Sequence, residues 1–303
     1  MDKMKKLGLT ALAGSLVATS VSAADLGVTG SWSWSWDSTK GGVGNPMSMG
    51  DSVTFSGSGE TDQGWTATVA LELDGGNFDD QSLSLDFGDG GVLQYGGASK
   101  GGRGVGLVAD YVPAADSAVY TLTASAGDEY GVARGASGTD NISHQITVGD
   151  IKIGAETQKG AGTSTSWGLQ YSGIDNLTVG FGTSDISPKA ADGGSDSNTV
   201  GLKYAIGGIT LGYQVTEVDK SSTDEDAVMY GASFAVNDDL TISYGRQTVE
   251  LQGKASDEVN SGFSASYTMG SMSIGAYINK TENVGGASAN DDEGKGITVS
   301  ISF

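Results

Sequence analysis

Gly296-Ile297-Thr298-Val299-Ser300-Ile301-Ser302-Phe303, the last stretch of the chain, carries the pattern that decides the fold. Side chains of an extended strand alternate between faces, so Ile297, Val299, Ile301 and Phe303 share one side while Thr298, Ser300 and Ser302 share the other. One face is oily and the other is wet. A strand of this kind, closing on an aromatic, suggests a sheet whose exterior meets lipid and whose interior meets water.

The same two-sided pattern recurs upstream. Trp32, Trp34 and Trp36 alternate with serines, and Leu83, Leu85 and Phe87 oppose Ser82, Ser84 and Asp86. Leu177, Val179 and Phe181 oppose Thr178, Gly180 and Gly182, and Leu211, Tyr213 and Val215 continue the series. Alternation by itself fits any half-buried antiparallel sheet. The connections are more informative, because two kinds take turns along the chain. Tight links lie at 61–64, 88–90, 149–150, 173–176, 207–208, 237–239 and 270–271. Long polar links are expected at 39–50, 74–79, 98–141, 158–165, 183–198, 217–226, 250–260 and 282–295. Seven short and eight long connections imply sixteen strands, with all short turns at one end. An even number lets the first strand pair antiparallel with the last. Closure removes unpaired edges, which hydrocarbon does not tolerate.

Charge placement agrees. Glu72, Asp86, Lys152, Glu156 and Lys203 fall on the polar sides of their strands. An Arg or Lys facing lipid at mid-depth costs roughly 2–4 kcal/mol. With 303 residues, 50 Gly, 3 Pro and 37% apolar content, the chain suits one large β unit. After residue 24 no window approaches the roughly 20 apolar residues of a spanning helix. Absence of Cys removes disulfides, thiolate metal sites and cysteine nucleophiles. A net charge of −21 argues against nucleic acid, whose phosphates call for a basic surface.

Residues 1–23 read as an export signal. Lys3, Lys5 and Lys6 precede an apolar stretch from Leu7 to Val17, and Val21-Ser22-Ala23 offers small residues before Ala24. The barrel is then expected over 24–303. Removal of the signal takes away three Lys and one Asp and leaves −23.

Together, the signal, the Gly-rich amphipathic strands, the rhythm of links and the final strand ending in Phe303 resemble a Gram-negative general porin, most similar to the alphaproteobacterial type. The resemblance covers the whole mature chain and rests most sharply on Ile297, Val299, Ile301 and Phe303. It implies a sixteen-stranded transmembrane antiparallel β-barrel with short periplasmic turns and long extracellular loops. It also implies a homotrimer in the outer membrane of a Gram-negative bacterium, in contact with the lipid bilayer and lipopolysaccharide. The terminal strand would be read by the barrel-assembly machinery.

The longest link, 98–141, spans 44 residues, a length at which loops are usually functional or disordered. In porins the loop at this place folds into the barrel and narrows it, so the resemblance implies a constriction here. Its charges are Lys100, Arg103 and Arg134 against Asp110, Asp116, Asp128, Glu129 and Asp140. Acids on an infolded loop facing bases on the wall, for which Lys152 and Lys203 are the choices, would set a transverse field that sorts ions. Ala118 to Ala126 is strand-like and reads either as part of that loop or as an extra strand.

Other features point less clearly. Asp224-Glu225-Asp226 and Asp291-Asp292-Glu293 offer hard oxygen ligands, but no spacing matches a calcium loop; no metal and no cofactor is expected. Ser143-His144 cannot act as a hydrolytic pair, because neighbours on a strand face opposite ways. Trp32, Trp34, Trp36 and the other strand aromatics suit lipid-interface girdles. The reading is a passive channel for ions and small hydrophilic solutes, weakly cation-selective and not an enzyme. The alternative is a plugged barrel that binds partners through its loops, as an adhesin or phage receptor.

Overall fold

The computed structural model describes residues 25–39, 45–96, 103–108, 111–113, 141–159, 163–187 and 194–303. The signal-like residues 1–23 and the strand-like 118–126 lie outside these. Sixteen strands close into one barrel in sequence order. They are β1 Asp25–Thr39, β2 Met47–Glu60, β3 Thr66–Asp74, β4 Asn77–Asp86, β5 Val92–Gly96, β6 Asn141–Val148, β7 Ile151–Lys159 and β8 Thr163–Ile174. The second half comprises β9 Leu177–Ile186, β10 Ser195–Ile206, β11 Ile209–Lys220, β12 Glu225–Ala235, β13 Leu240–Leu251, β14 Glu258–Met269, β15 Met272–Glu282 and β16 Asp292–Ser302.

Every strand pairs antiparallel with its sequence neighbours, and the seam joins β1 to β16. There Trp32, Trp34 and Trp36 stand opposite Ile301, Val299 and Ile297. Phe303 finishes the seam: its N–H donates to the Gly30 carbonyl at 2.9 Å, and its own carbonyl accepts the Gly30 N–H at 2.7 Å.

Polarity is inverted relative to a soluble sheet protein. Gln214 and Thr216 on β11 are fully buried at 0% exposure, whereas Ile297 and Phe303 on the outer face keep 43% and 72%. Water-soluble packing would have exchanged those two sets. Ile297, Val299, Ile301 and Phe303 therefore share the outward face.

The strands run farther than the alternation predicts. The expected long link at 74–79 is a two-residue turn: Asp74 pairs with Asn77 around Gly75 and Gly76, whose φ values of 56° and 84° suit a tight hairpin. Likewise β11 continues to Lys220 and β12 starts at Glu225, inside the stretch expected to be loop. Glu217 pairs with Asp226, and Asp226 with Glu250, all exposed on the outer face. Past the lipid both faces meet water, so alternation fades while the backbone ladder persists.

Candidate functional site

The candidate site is the lumen, and its geometry starts from where the chain leaves the wall. β5 ends at Gly96, and Gly96 is the partner of Asn141 at the start of β6, so the 97–140 connection departs and returns on one rung. Its described parts, 103–108 and 111–113, include a 3-10 turn at Val105–Val108. They lie against the inner face of β7 to β12. The face is identified by the strands themselves: Gly154, Gly168, Gly182 and Gly201, which touch the segment, are buried, while the alternating Ile153, Trp167, Phe181 and Val200 are exposed outward.

Main-chain donors of the segment meet side chains of the wall. Arg103 N–H donates to Glu156 Oε2 at 3.1 Å and Val105 N–H to Ser166 Oγ at 3.1 Å. Tyr111 N–H donates to Gln214 Oε1 at 3.2 Å, and Gln170 Nε2 donates to the Tyr111 hydroxyl at 3.0 Å. Ser166 in turn donates to the other oxygen of Glu156 at 2.6 Å. These partners sit on a polar strand face because the lumen side of each strand is the water side. Buried donors without such acceptors would each cost about 1–3 kcal/mol.

Apolar contact finishes the seat. Val105, Val108, Tyr111 and Val112 are buried, and Val112 packs with Ala227, Met229, Val249 and Leu251 in a small dry cluster inside the barrel. Burial lowers the Arg103 guanidinium from its ordinary value and raises the Tyr111 phenol, which the Gln170 hydrogen bond partly offsets. Arg103 stays cationic all the same, since guanidinium does not lose its proton in proteins.

Of the expected constriction residues, Lys100, Asp110, Asp116, Asp128, Glu129 and Arg134 lie outside the described residues. Arg103 belongs to the seated segment. Lys152 and Lys203 do face the lumen, but on β7 and β10, the wall on which the segment lies. They flank it from the short-turn side instead of facing it across the gap; Lys203 Nζ is 5.8 Å from the centroid of the Tyr111 ring. The physical reason is register: each lysine is one lumen-facing step from a glycine that the segment covers. Across the barrel, Asp37 on β1 and Glu72 on β3 face inward, opposite the strands that carry the segment.

The acidic runs do not converge on one point. Asp224 accepts the Lys220 N–H, Glu225 turns inward to pair with the Lys220 ammonium, and Asp226 turns outward. Among the described residues no group of three or more His, Cys, Asp or Glu could hold a metal. Ser143 is buried on the lumen face, whereas His144 is on the opposite face with Nε2–H donating to the Gly90 carbonyl at 2.9 Å. Trp65 stacks edge-on against Phe87 at 4.8 Å on the outside near the short turns, as a girdle residue would.

Reading the sequence did not anticipate the acceptors Glu156, Ser166 and Gln214 as a set, nor the glycines beneath the segment. The available signal was the glycines recurring on the polar faces of successive strands at 154, 168, 180, 182, 201 and 212.

Known proteins agree with this geometry. A refined porin structure superposes with a TM-score of 0.70 at 17% identity, over 92% of this chain and all (100%) of that one. OmpT, an outer membrane protein of Vibrio cholerae also recorded in a trimer form, gives 0.67 at 12% over 94% and 100%. An anion-selective porin from Comamonas acidovorans gives 0.65 at 14% over 92% and 100%. Identities this low speak for the fold alone, and no curated protein matches the sequence. The Gram-negative porin family model, however, matches residues 8–303, nearly the whole length. This chain therefore belongs to the Gram-negative porin family.

Proposed function

We propose that this outer-membrane porin is a general diffusion channel, passing ions and small hydrophilic solutes down their gradients with a modest preference for cations. The supporting observation is the inverted barrel: polar Gln214, Thr216 and Thr281 line the inside, and most of the large apolar side chains point out, those packed on Val112 apart. Sixteen strands enclose more than their side chains fill. The cation preference rests on the formal charge of −21 together with Asp37 and Glu72 on the far lumen wall. Arg103, Lys152 and Lys203 on the segment's side oppose it, so the field across the gap runs from base to acid and orients dipolar solutes. The similar anion-selective porin of Comamonas acidovorans makes the sign of selectivity the point to measure.

The same reading includes three partners. A homotrimer is favoured by the trimer form of the similar OmpT. Lipopolysaccharide and the bilayer would surround the outward apolar belt, and the barrel-assembly machinery would engage the strand ending in Phe303. Residues 1–23 act as the export signal in this reading.

Purified protein in planar bilayers tests the function. Steady, weakly voltage-dependent steps and a reversal potential of cationic sign across a salt gradient are expected. Electrical silence would reject the channel in favour of a plugged, partner-binding barrel, and an anionic sign would reject the selectivity alone.

A further inference from the structure

Seven lumen-facing glycines lie under the seated segment, and strand register brings them side by side. Gly154 pairs with Gly168, Gly168 with Gly182, Gly180 with Gly201, and Gly212 with Gly231. A Cβ at Gly154 would stand 1.6 Å from the Arg103 carbonyl oxygen, at Gly168 2.3 Å from that of Gly104, and at Gly212 2.2 Å from that of Tyr111. At Gly182 it would meet Val105, and at Gly201 the Tyr111 ring. Just beside this lane, on the side away from the short turns, stand the acceptors already described. Glu156 is two residues beyond Gly154, Ser166 two before Gly168, and Gln214 two beyond Gly212, each on the same face as its glycine. The two rows do separate things. The glycines let the backbone of the segment lie flat on the wall, and the acceptors catch its N–H groups at set points along the way.

We propose that this lane of Gly154, Gly168, Gly182, Gly201 and Gly212, with its flanking acceptors, is a built track that fixes how far residues 103–108 and 111–113 stand into the lumen and so sets the size of solute that passes. The proposal rests on the channel reading. A single methyl on the track lifts the segment toward the barrel axis, because backbone cannot step aside as a side chain tip can. At Gly168 the gap to Gly104 must open from 2.3 Å to the 3.4 Å of ordinary contact, about 1 Å. The lumen narrows by that amount, since the wall behind is a closed sheet with no room to recede.

Gly180 tests the logic from another side. A Cβ there would meet the Tyr111 hydroxyl at 2.4 Å and its ring at 2.9 Å, which are side-chain atoms. Removing that side chain removes most of the conflict. By contrast, Gly212 conflicts with the Tyr111 main chain, which no substitution at Tyr111 removes.

Single-channel recording of the full-length barrel decides the matter, with heat-modifiable migration on gels confirming that each variant is folded. Gly168→Ala and Gly212→Ala should lower the step by roughly a third, with a smaller neutral-sugar exclusion limit. Gly275→Ala, a lumen-side glycine with nothing within 4 Å of its Cβ position, should leave both unchanged. In a Tyr111→Ala background, Gly180→Ala should have a much smaller effect, with only the Val108 methyl at 3.0 Å still in its way, while Gly212→Ala still lowers the step. Folded Gly168→Ala and Gly212→Ala barrels that conduct and sieve like the Gly275→Ala control would overturn the track, as would equal effects of Gly180→Ala with and without Tyr111. Variants that do not fold are replaced by Gly182→Ala, whose Cβ conflict with a Val105 methyl group at 2.9 Å is milder. Silence of the unsubstituted protein would instead reject the channel itself.

Discussion

The Tyr277 hydroxyl donates to Asp37 Oδ1 at 2.5 Å, although 240 positions separate the two residues in sequence. Tyr277 is on β15 and Asp37 on β1, so the bond passes over β16 and spans the seam from the lumen side. It crosses at Gly296, where a Cβ would stand 2.5 Å from both Asp37 Oδ1 and the Tyr277 ring. A hydrogen bond to a charged acceptor contributes about 1.5–3 kcal/mol.

Tyr277→Phe should therefore lower the stability of the folded barrel by about 1.5–3 kcal/mol. Gly296→Leu should have a comparable or larger effect by wedging the pair apart. Urea unfolding in lipid vesicles measures both. A Tyr277→Phe midpoint equal to that of the parent would show that the bond does not hold the seam.

The end of the same seam gives a second prediction. Phe303 exchanges two backbone hydrogen bonds with Gly30, and its ring lies 2.5 Å from where a Gly30 Cβ would be. Deletion of Phe303 should reduce the heat-modifiable, folded fraction several-fold in cells, and Gly30→Val should act in the same direction. Quantitative immunoblots of unheated outer-membrane samples report this directly. If folding in purified lipid is unaffected while cellular assembly falls, the residue acts through the assembly machinery more than through the seam bonds.

Lys203 carries a charge prediction. It faces the lumen beside the seated segment, so Lys203→Gln removes one base from the pathway and should move the reversal potential toward cations. Lys152→Gln should do the same from β7, and the double variant should move it further. The check is the reversal potential across a tenfold salt gradient; a shift toward anions contradicts the lumen placement of these charges as selectivity groups.

A pH prediction follows from Tyr111. Burial raises its phenol above the ordinary 10.0, with the Gln170 hydrogen bond acting the other way. The seated segment then holds a proton that a free, solvated phenol gives up near that value. Seating is thus independent of pH below about 10 and weakens as pH rises through the raised value. Conductance should become unsteady only in that alkaline window. Tyr111→Phe, which has no phenolic proton to lose, should remove the alkaline limb; its persistence in that variant would assign the effect to other groups, such as lysines.

The sequence by itself determined that the chain forms a closed antiparallel barrel of sixteen strands with an apolar exterior. Alternation is local: each strand carries its own period of two, and Ile297 to Phe303 shows its outward face without reference to any other strand. Turn residues such as Gly207-Gly208 are local as well, so the count of strands was legible too. The upper reach of the strands was not, because above the lipid both faces are polar and Glu217, Asp226 and Glu250 read as loop although they are paired. Only the tertiary structure decided which wall the described parts of the long connection, 103–108 and 111–113, lie against, and with it the roles of Glu156, Ser166 and Gln214. Gly154, Gly168, Gly182, Gly201 and Gly212 become one surface through cross-strand register, and Lys152 and Lys203 join the segment's side for the same reason. Register is a relation between distant rungs, set when neighbouring strands align, and no short window of residues contains it.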